Sequence, residues 1–275
     1  MGTLFLVSTP IGNLGDMSHR AVEVLSSAAL ILAEDTRHSR PLLEHFGIST
    51  PVSSYHEHNE AKETPRLVAA LKKGKSIALI SDAGTPLISD PGSRLVAACV
   101  EAGVPVVPIP GASSVMAAVV ASGFPLDRFT FFGFIPRKGK DRTAAIAEIV
   151  RSQATTVLFE AANRVGATLS DLSGAGASGR RAVVARELTK RFEEFRRGTV
   201  AELAKASEKA APRGEVVLII EGAADEAELS ETDFARAAKQ GRDDGLTSRD
   251  IMQHLMKDLG ASRNLAYKLA HGDEE

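Results

Sequence analysis

The 275-residue sequence carries 33 Lys and Arg against 35 Asp and Glu, a formal charge of −2. That balance excludes a whole-molecule electrostatic grip on nucleic acid and leaves only a local basic patch for such a contact. One cysteine, Cys99, excludes an internal disulfide or a cysteine-based zinc cluster, and no tryptophan with only two tyrosines argues against an aromatic platform for single strands.

No apolar stretch is long enough to span a bilayer, and the first residues lack a basic segment followed by an apolar run. A soluble, cytoplasmic chain is therefore expected. The segment from Thr3 to Ser8 reads as a short strand, stopped by Thr9-Pro10-Ile11-Gly12-Asn13. A helix pattern starts at Ser18, with Ala21, Val22 and Leu25 on one face. Leu30 to Ala33 is a second strand. Ser39-Arg40-Pro41 opens a short helix, with proline in its first turn and Gly47 after its end. Ser76 to Ser81 is a third strand, and a helix runs from Ser93 to a stop at Gly103. Val104 to Ile109 is another strand, after which Gly111-Ala112-Ser113-Ser114 opens a helix. Continuous apolar strands alternating with helices imply a mainly parallel sheet covered on both faces. Cys99 fits a small buried apolar position in its helix.

Gly123-Phe124-Pro125-Leu126-Asp127 marks a boundary. Strands are expected at Phe129 to Phe134, Thr155 to Glu160, Arg181 to Arg186 and Glu215 to Glu221, with helices between them and a flexible loop from Gly174 to Gly179. The division is residues 1–122, 123–223 and 224–275. The acidic segment from Ala223 to Ser230 suits a linker. Beyond it, a helix from Thr247 carrying Ile251, Leu255 and Met256 and another carrying Leu265, Ala266, Tyr267 and Leu269 resemble a helix-turn-helix. Arg263 and Lys268 suit a recognition helix, and a helical cap or dimer element is the other reading.

Ligands of open α/β sheets bind beyond the carboxyl ends of the strands, which directs attention to four loops. The first, Ser8 to Asp16, is no dinucleotide fingerprint, although Gly12 and Gly15 permit a close approach to the backbone. The second, Glu34-Asp35-Thr36-Arg37-His38-Ser39, concentrates charge at a strand end. It suits either a functional role or an Asp35–Arg37 pair with helix capping by Ser39. In the third, Tyr55 to Glu60, His56 and His58 lie two apart with no matching distant Cys or His pair. A metal site is not expected there, and an RNA contact, a proton shuttle and a solvated loop stay open. The fourth, Ser81 to Gly92, combines Asp82, Gly84, Thr85 and two prolines in a rigid turn suited to a small ligand's polar groups. Pro110 to Ser114 repeats the design at a helix start.

Thr9-Pro10-Ile11-Gly12-Asn13-Leu14, Glu34-Asp35-Thr36-Arg37-His38, His58-Asn59-Glu60, Ser81-Asp82-Ala83-Gly84-Thr85-Pro86 and Ala185-Arg186-Glu187-Leu188-Thr189-Lys190 together resemble the bacterial 16S rRNA (cytidine-2′-O)-methyltransferases of the tetrapyrrole methylase superfamily. The resemblance runs from about Leu4 to Gly222 and weakens in the C-terminal helices. It implies two α/β domains of the tetrapyrrole methylase type with the cofactor cleft between them, plus a small C-terminal helical region. It also implies a homodimer, S-adenosylmethionine as cofactor, and a cytidine in the decoding region of the small ribosomal subunit as target. By the same resemblance, cofactor contacts fall on Pro10, Gly84, Thr85, Ile88, Ser113 and Ser114, with Asp82 beside them. Family members often carry a histidine where this chain has Asn163, which cannot take a proton near neutral pH.

A ribose hydroxyl is a poor nucleophile until its proton is drawn off. The loops offer His56 or Asp35 as base, with His58 near, and Arg37 to bind a phosphate or steer the base. Lys190 and Arg186 add further phosphate contacts. The alternatives are a tetrapyrrole- or protein-modifying methyltransferase of the same superfamily and a non-catalytic ribosome-binding factor.

Overall fold

A computed structural model describes residues 1–210, 212–224 and 230–271. The chain divides into two compact units, Met1–Ala223 and Ala224–Glu275. The first part of unit one alternates strand and helix: β1 (Leu4–Val7), α1 (His19–Ser27), β2 (Leu30–Ala33), α2 (Thr36–His45), β3 (Val52–Ser54), α3 (Glu60–Lys72), β4 (Ile77–Ile80), α4 (Ser93–Glu101), β5 (Val106–Ile109) and α5 (Ser114–Val120). The five strands form one all-parallel sheet in the order β3-β2-β4-β1-β5. Strands covered on both faces need apolar residues on both, and all four residues of β4 are buried. Leu4, Leu32, Ile77 and Leu79 pack on one face against Leu67, Leu71, Leu95 and Cys99 of α3 and α4. Val7, Ile31, Ala33 and Ile80 pack on the other against Ala21, Leu25 and Leu43 of α1 and α2.

The second part runs β6 (Phe129–Phe134), α6 (Lys140–Arg151), β7 (Thr155–Ala161), α7 (Val165–Leu172), β8 (Arg181–Arg186), β9 (Glu194–Thr199), α8 (Val200–Lys209) and β10 (Glu215–Ile220). Its sheet has the order β6-β7-β10-β8-β9 and is mixed, because the pairs β7–β10, β10–β8 and β8–β9 are antiparallel and the pair β6–β7 is parallel. Helix α5 links the parts. Its Val115, Ala118 and Val119 pack with Ile11 against Val157, Val183, Val217 and Ile219 of the second sheet. Both sheets therefore share a core beneath the carboxyl ends of the first.

Two local expectations shift. Helix α2 starts at Thr36, so Pro41 lies inside it and Ser39 does not cap it. The cap is Asp35, whose carboxylate accepts the Arg37 N–H at 2.9 Å, while the Ser39 hydroxyl donates to the Asp35 carbonyl at 3.2 Å. The stretch from Gly174 onward is no open loop, because the chain continues α7 as a wide helical turn and kinks only at Gly176, where φ is 109°.

The second unit comprises α9 (Glu231–Asp243), α10 (Ser248–Lys257) and α11 (Arg263–His271). Ser230 and Asp233 form a capping box on α9. The expected helix pair is thus a three-helix unit with its own core, in which Phe234 and Ala238 meet Ile251, Leu255 and Ala266. Tyr267 stands outside that core, exposed and stacked on His271 at 4.2 Å. The acidic segment read as a linker lies largely outside the described residues. Among the described residues, no helix is long and apolar enough to cross a membrane.

Candidate active site

Three loops at the carboxyl end of the parallel sheet are tied into one platform. Thr9 and Gly84 exchange backbone hydrogen bonds of 2.9 and 3.0 Å, and the Thr9 hydroxyl donates to the Ser81 carbonyl. The Ser81 hydroxyl donates to the Gly84 carbonyl, and the Thr85 hydroxyl donates to the Ala112 carbonyl at 3.2 Å. The loops after β1, β4 and β5 thereby hold each other in place. Gly84 has φ 82°, and a Cβ there would lie 3.1 Å from Ile11 Cγ2, so this position needs a residue without a side chain.

The platform forms one wall of a cleft of about 420 Å³. That volume suits an ordinary small-molecule site. Gly84, Thr85, Ile88, Ser113 and Ser114 all line it, together with Asp90. The opposite wall comes from the second sheet: Phe134 at the end of β6, Phe159 and Glu160 of β7, Leu188, and Gly214 to Val217 at the start of β10. The chemistry of the lining is mixed. Aliphatic and aromatic surfaces offer a slot for a flat apolar ring, hydroxyls offer neutral hydrogen bonds, and the carboxylates of Asp90, Glu160 and Glu215 favour a cationic ligand.

Pro10 and Asp82 lie next door. They line a second pocket of about 280 Å³ with Gly12, Asn13, His38 and Lys190, and Ile11, Ala83 and Glu215 border both spaces. Asp82 Oδ1 accepts the Asp35 N–H at 3.3 Å, which joins the loop after β4 to the loop after β2.

The residues expected to carry catalysis do not converge in the main cleft; none of Asp35, Arg37 and His56 lines it. Asp35 and Arg37 form a bidentate pair of 3.1 and 2.8 Å. The Arg37 hydrogen bonds hold the Asp35 carboxyl well below the usual carboxylate range, so Asp35 stays ionised and is a weak base. The Arg37 side chain is 90% exposed. His56 follows β3; its backbone N–H donates to Asn59 Oδ1, while its Nδ1 is buried without a hydrogen-bond partner. His58 sits beside it, ring to ring at 5.9 Å. Among the described residues, no group of His, Cys, Asp or Glu is arranged to hold a metal ion. Asn163 is exposed in the turn after β7.

Lys190 and Arg186, expected to meet phosphate, are committed to carboxylates. Lys190 Nζ donates to Glu215 at 2.9 Å and to Glu187 at 3.2 Å, and Arg186 pairs with Glu194. The room above Gly12 is filled by the aliphatic stem of Lys190 rather than by a ligand.

Sequence reasoning missed three groups. Glu160 is buried in the cleft wall, where it accepts the Thr168 hydroxyl at 2.6 Å and its own neighbour's N–H from Ala161 at 2.9 Å, with Arg164 at 3.4 Å. Asp90 is held between Leu87 and Ser89, both at positive φ, and the Gly92 turn. Glu34 faces Asp82 and His56; burial first, then Asp82, pushes its carboxyl up. The signal for Asp90 was its place in a proline-bounded loop after a buried strand. Glu160 was visible as a lone charge ending an apolar strand.

The family model for tetrapyrrole (corrin/porphyrin) methylases matches residues 3–204. A protein of Synechocystis sp. named ribosomal RNA small subunit methyltransferase I is 45% identical over 98% of both chains. One of the same name from Halalkalibacterium halodurans is 40% identical over 98% of this chain and 95% of its own. Among solved structures, a uroporphyrin-III C-methyltransferase from Thermus thermophilus complexed with S-adenosyl homocysteine superposes with a TM-score of 0.57 at 18% identity, over 80% of this chain and 97% of that one. A diphthine synthase gives 0.59 at 18% identity, over 80% and 90%.

Proposed function

The chain belongs to the tetrapyrrole (corrin/porphyrin) methylases, and from that membership we propose that it methylates the 2′-hydroxyl of a cytidine in the decoding region of 16S rRNA, with S-adenosylmethionine as methyl donor. The observation that carries this reading is the near full-length identity to relatives named as small-subunit rRNA methyltransferases. The cleft supports the donor. Its wall at Gly84 is bare backbone, its apolar surfaces suit adenine, and its carboxylates suit a cation. When bound there, S-adenosylmethionine supplies an electrophilic methyl group on a sulfonium centre.

The residues of the chain then divide the work. Gly84, Thr85, Ile88, Ser113 and Ser114 hold the donor, with Pro10 and Asp82 at its margin toward the second pocket. Residues 1–122 and 123–223 each contribute one wall. Arg37, exposed and steered by Asp35, meets an RNA phosphate. His56 stands at the acceptor side, and Glu34 faces both it and Asp82. Positioning an oxygen in line with a methyl carbon supplies much of the acceleration in such a transfer. The reading includes a homodimer acting on the small subunit in the cytoplasm.

Incubation with radiolabelled S-adenosylmethionine tests it. Purified small subunits or free 16S rRNA should become labelled, and the better of the two shows what is recognised. Cofactor binding with no label in either RNA substrate contradicts the reading.

A further inference from the structure

Lys190 and Arg186 are paired with carboxylates, yet the far wall of the cleft carries other cations. The chain from Phe134 to Arg142 reads Phe-Ile-Pro-Arg-Lys-Gly-Lys-Asp-Arg, four cations against one carboxylate. It begins on the cleft itself, because Phe134 closes β6 and lines that space. Strand β6 is an edge strand, and its register against β7 slips between Phe131 and Phe134, with Gly133 at φ 60°. Such a bulge bends the end of the strand. A Cβ on Gly133 would stand 3.4 Å from Ser89 Oγ, so the bend meets the loop after β4. Arg137 follows Phe134 by three residues, which keeps their Cα atoms within about 11 Å of each other.

The loop is held from beneath. Arg142 Nη1 donates to the Pro136 carbonyl at 3.1 Å, and Arg164 Nη2 donates to the Ile135 and Pro136 carbonyls at 3.4 Å. Both arginines are anchored in turn. Arg142 pairs with Asp171 at 2.6 Å and donates to the Thr168 hydroxyl at 3.1 Å, and Arg164 pairs with buried Glu160 at 3.4 Å. Arg142 and Arg164 thus fix the backbone, while Arg137, Lys138 and Lys140 stand exposed, with no salt bridge or side-chain hydrogen bond among the described residues. Lys140 opens α6, where a cation opposes the helix dipole, so the stability of the helix does not account for it. Like charges gathered on one short, fixed loop repel each other and favour an anion.

We propose that the loop of Arg137, Lys138 and Lys140 grips the phosphate backbone of the RNA substrate beside the cleft, an assignment that rests on the rRNA-methylation reading. Arg37 stands beyond the carboxyl end of the first sheet and this loop on the wall supplied by the second, so the RNA is held from both parts of the first unit. Phosphate contacts fix the position of the chain without reading its bases. The Arg137 guanidinium can take a phosphate through two parallel N–H bonds, and the two lysines act as point charges. A backbone held there presents its ribose to the cleft.

The test combines Arg137→Gln, Lys138→Gln and Lys140→Gln in one variant. Its control combines Lys72→Gln, Lys73→Gln and Lys75→Gln, the same change of charge on exposed residues just before β4, at the amino end of the parallel sheet. Retention of small subunits on filters is measured from about 50 to 200 mM salt, and S-adenosylhomocysteine affinity by calorimetry. The loop variant should bind subunits at least about tenfold more weakly at the lower salt and lose about 0.7–0.9 from the log–log salt slope for each phosphate contact removed. Its KM for subunits should rise, while kcat and S-adenosylhomocysteine affinity stay within about threefold of wild type, as for an interaction made equally in the ground and transition states. The control should match wild type within about twofold. Should the triple variant melt lower than wild type, the single variants carry the same slope test. Wild-type affinity and slope in the loop variant overturn the assignment, and so does an equal loss in the control, which would reflect net charge alone. Loss of S-adenosylhomocysteine binding in a loop variant that melts like wild type also overturns it, because the loop would then serve the donor. A wild-type protein that binds subunits through this loop but labels no RNA upholds the grip and contradicts the methylation reading. No retention of wild type at the lowest salt overturns the grip.

Discussion

Gly12 faces the side chain of Lys190 so closely that a methyl group on its Cα would stand 2.3 Å from Lys190 Cγ. Lys190 in turn donates to Glu187 and Glu215, so one side chain from the second sheet seals the loop after β1. Gly12→Ala should therefore destabilise the protein by about 1–3 kcal/mol in urea unfolding, the range for overpacking. Lys190→Ala should remove part of that penalty. A double-mutant cycle showing a coupling of about 1 kcal/mol or more checks the contact, whereas strictly additive variants contradict it.

Gly84 gives a sharper expectation for ligand binding. Its positive φ and its 3.1 Å approach to Ile11 leave no place for a side chain. Gly84→Val should weaken S-adenosylhomocysteine binding by at least about tenfold, or roughly 1.4 kcal/mol, in calorimetry. Unchanged affinity would move the donor away from this wall.

The framework was legible because buried parallel strands write themselves as apolar runs. Ile77-Ala78-Leu79-Ile80 and Leu30-Ile31-Leu32-Ala33 need no partner to be recognised. Strand β9, Glu-Phe-Arg-Arg-Gly-Thr, was not legible. It is an edge strand whose Arg196 pairs with Glu194 and whose Arg197 donates to the Ala121 carbonyl at 2.6 Å, which one sequence cannot reveal. The start of α2 was misplaced because Ser39 and Pro41 form a convincing helix opening, while the Asp35 carboxylate competes for that role through Arg37.

The site was legible as loops, not as a constellation. The loops after β4 and β5 do supply one wall. The other wall, from Phe134, Phe159 and Gly214 to Val217, depends on α5 joining two sheets, which is a tertiary fact. Asp90 was hidden for the same reason. Its exposure to Glu34 exists only after β2 and β4 are laid side by side.

Asp90 also predicts a pH dependence of stability. Its folded carboxyl, at about 6, binds a proton more tightly than an unfolded aspartate at about 3.9. The resulting stabilisation is fully present below about pH 4 and is lost as pH rises through 6. Asp90→Asn is neutral at every pH, so it should match wild type near pH 4 and melt a few degrees higher at pH 8. Thermal melts at the two pH values check this, and identical melting of both proteins at pH 8 contradicts it.

Thr168 is fully buried and donates to Glu160 at 2.6 Å. Thr168→Val keeps the volume and removes the donor to a buried carboxylate. A loss of about 1.5–3 kcal/mol is expected, the range for hydrogen bonds to charged groups. Urea unfolding with an unchanged slope measures it, and a change below about 0.5 kcal/mol would mean that the bond contributes little.

The most direct measurement identifies the atom that receives the methyl group. Small subunits labelled by the enzyme with radioactive S-adenosylmethionine are digested to nucleosides and resolved by chromatography with mass detection. Label in 2′-O-methylcytidine is the expected result. Label on a base, on a nucleoside other than cytidine, or on a ribosomal protein would contradict the account.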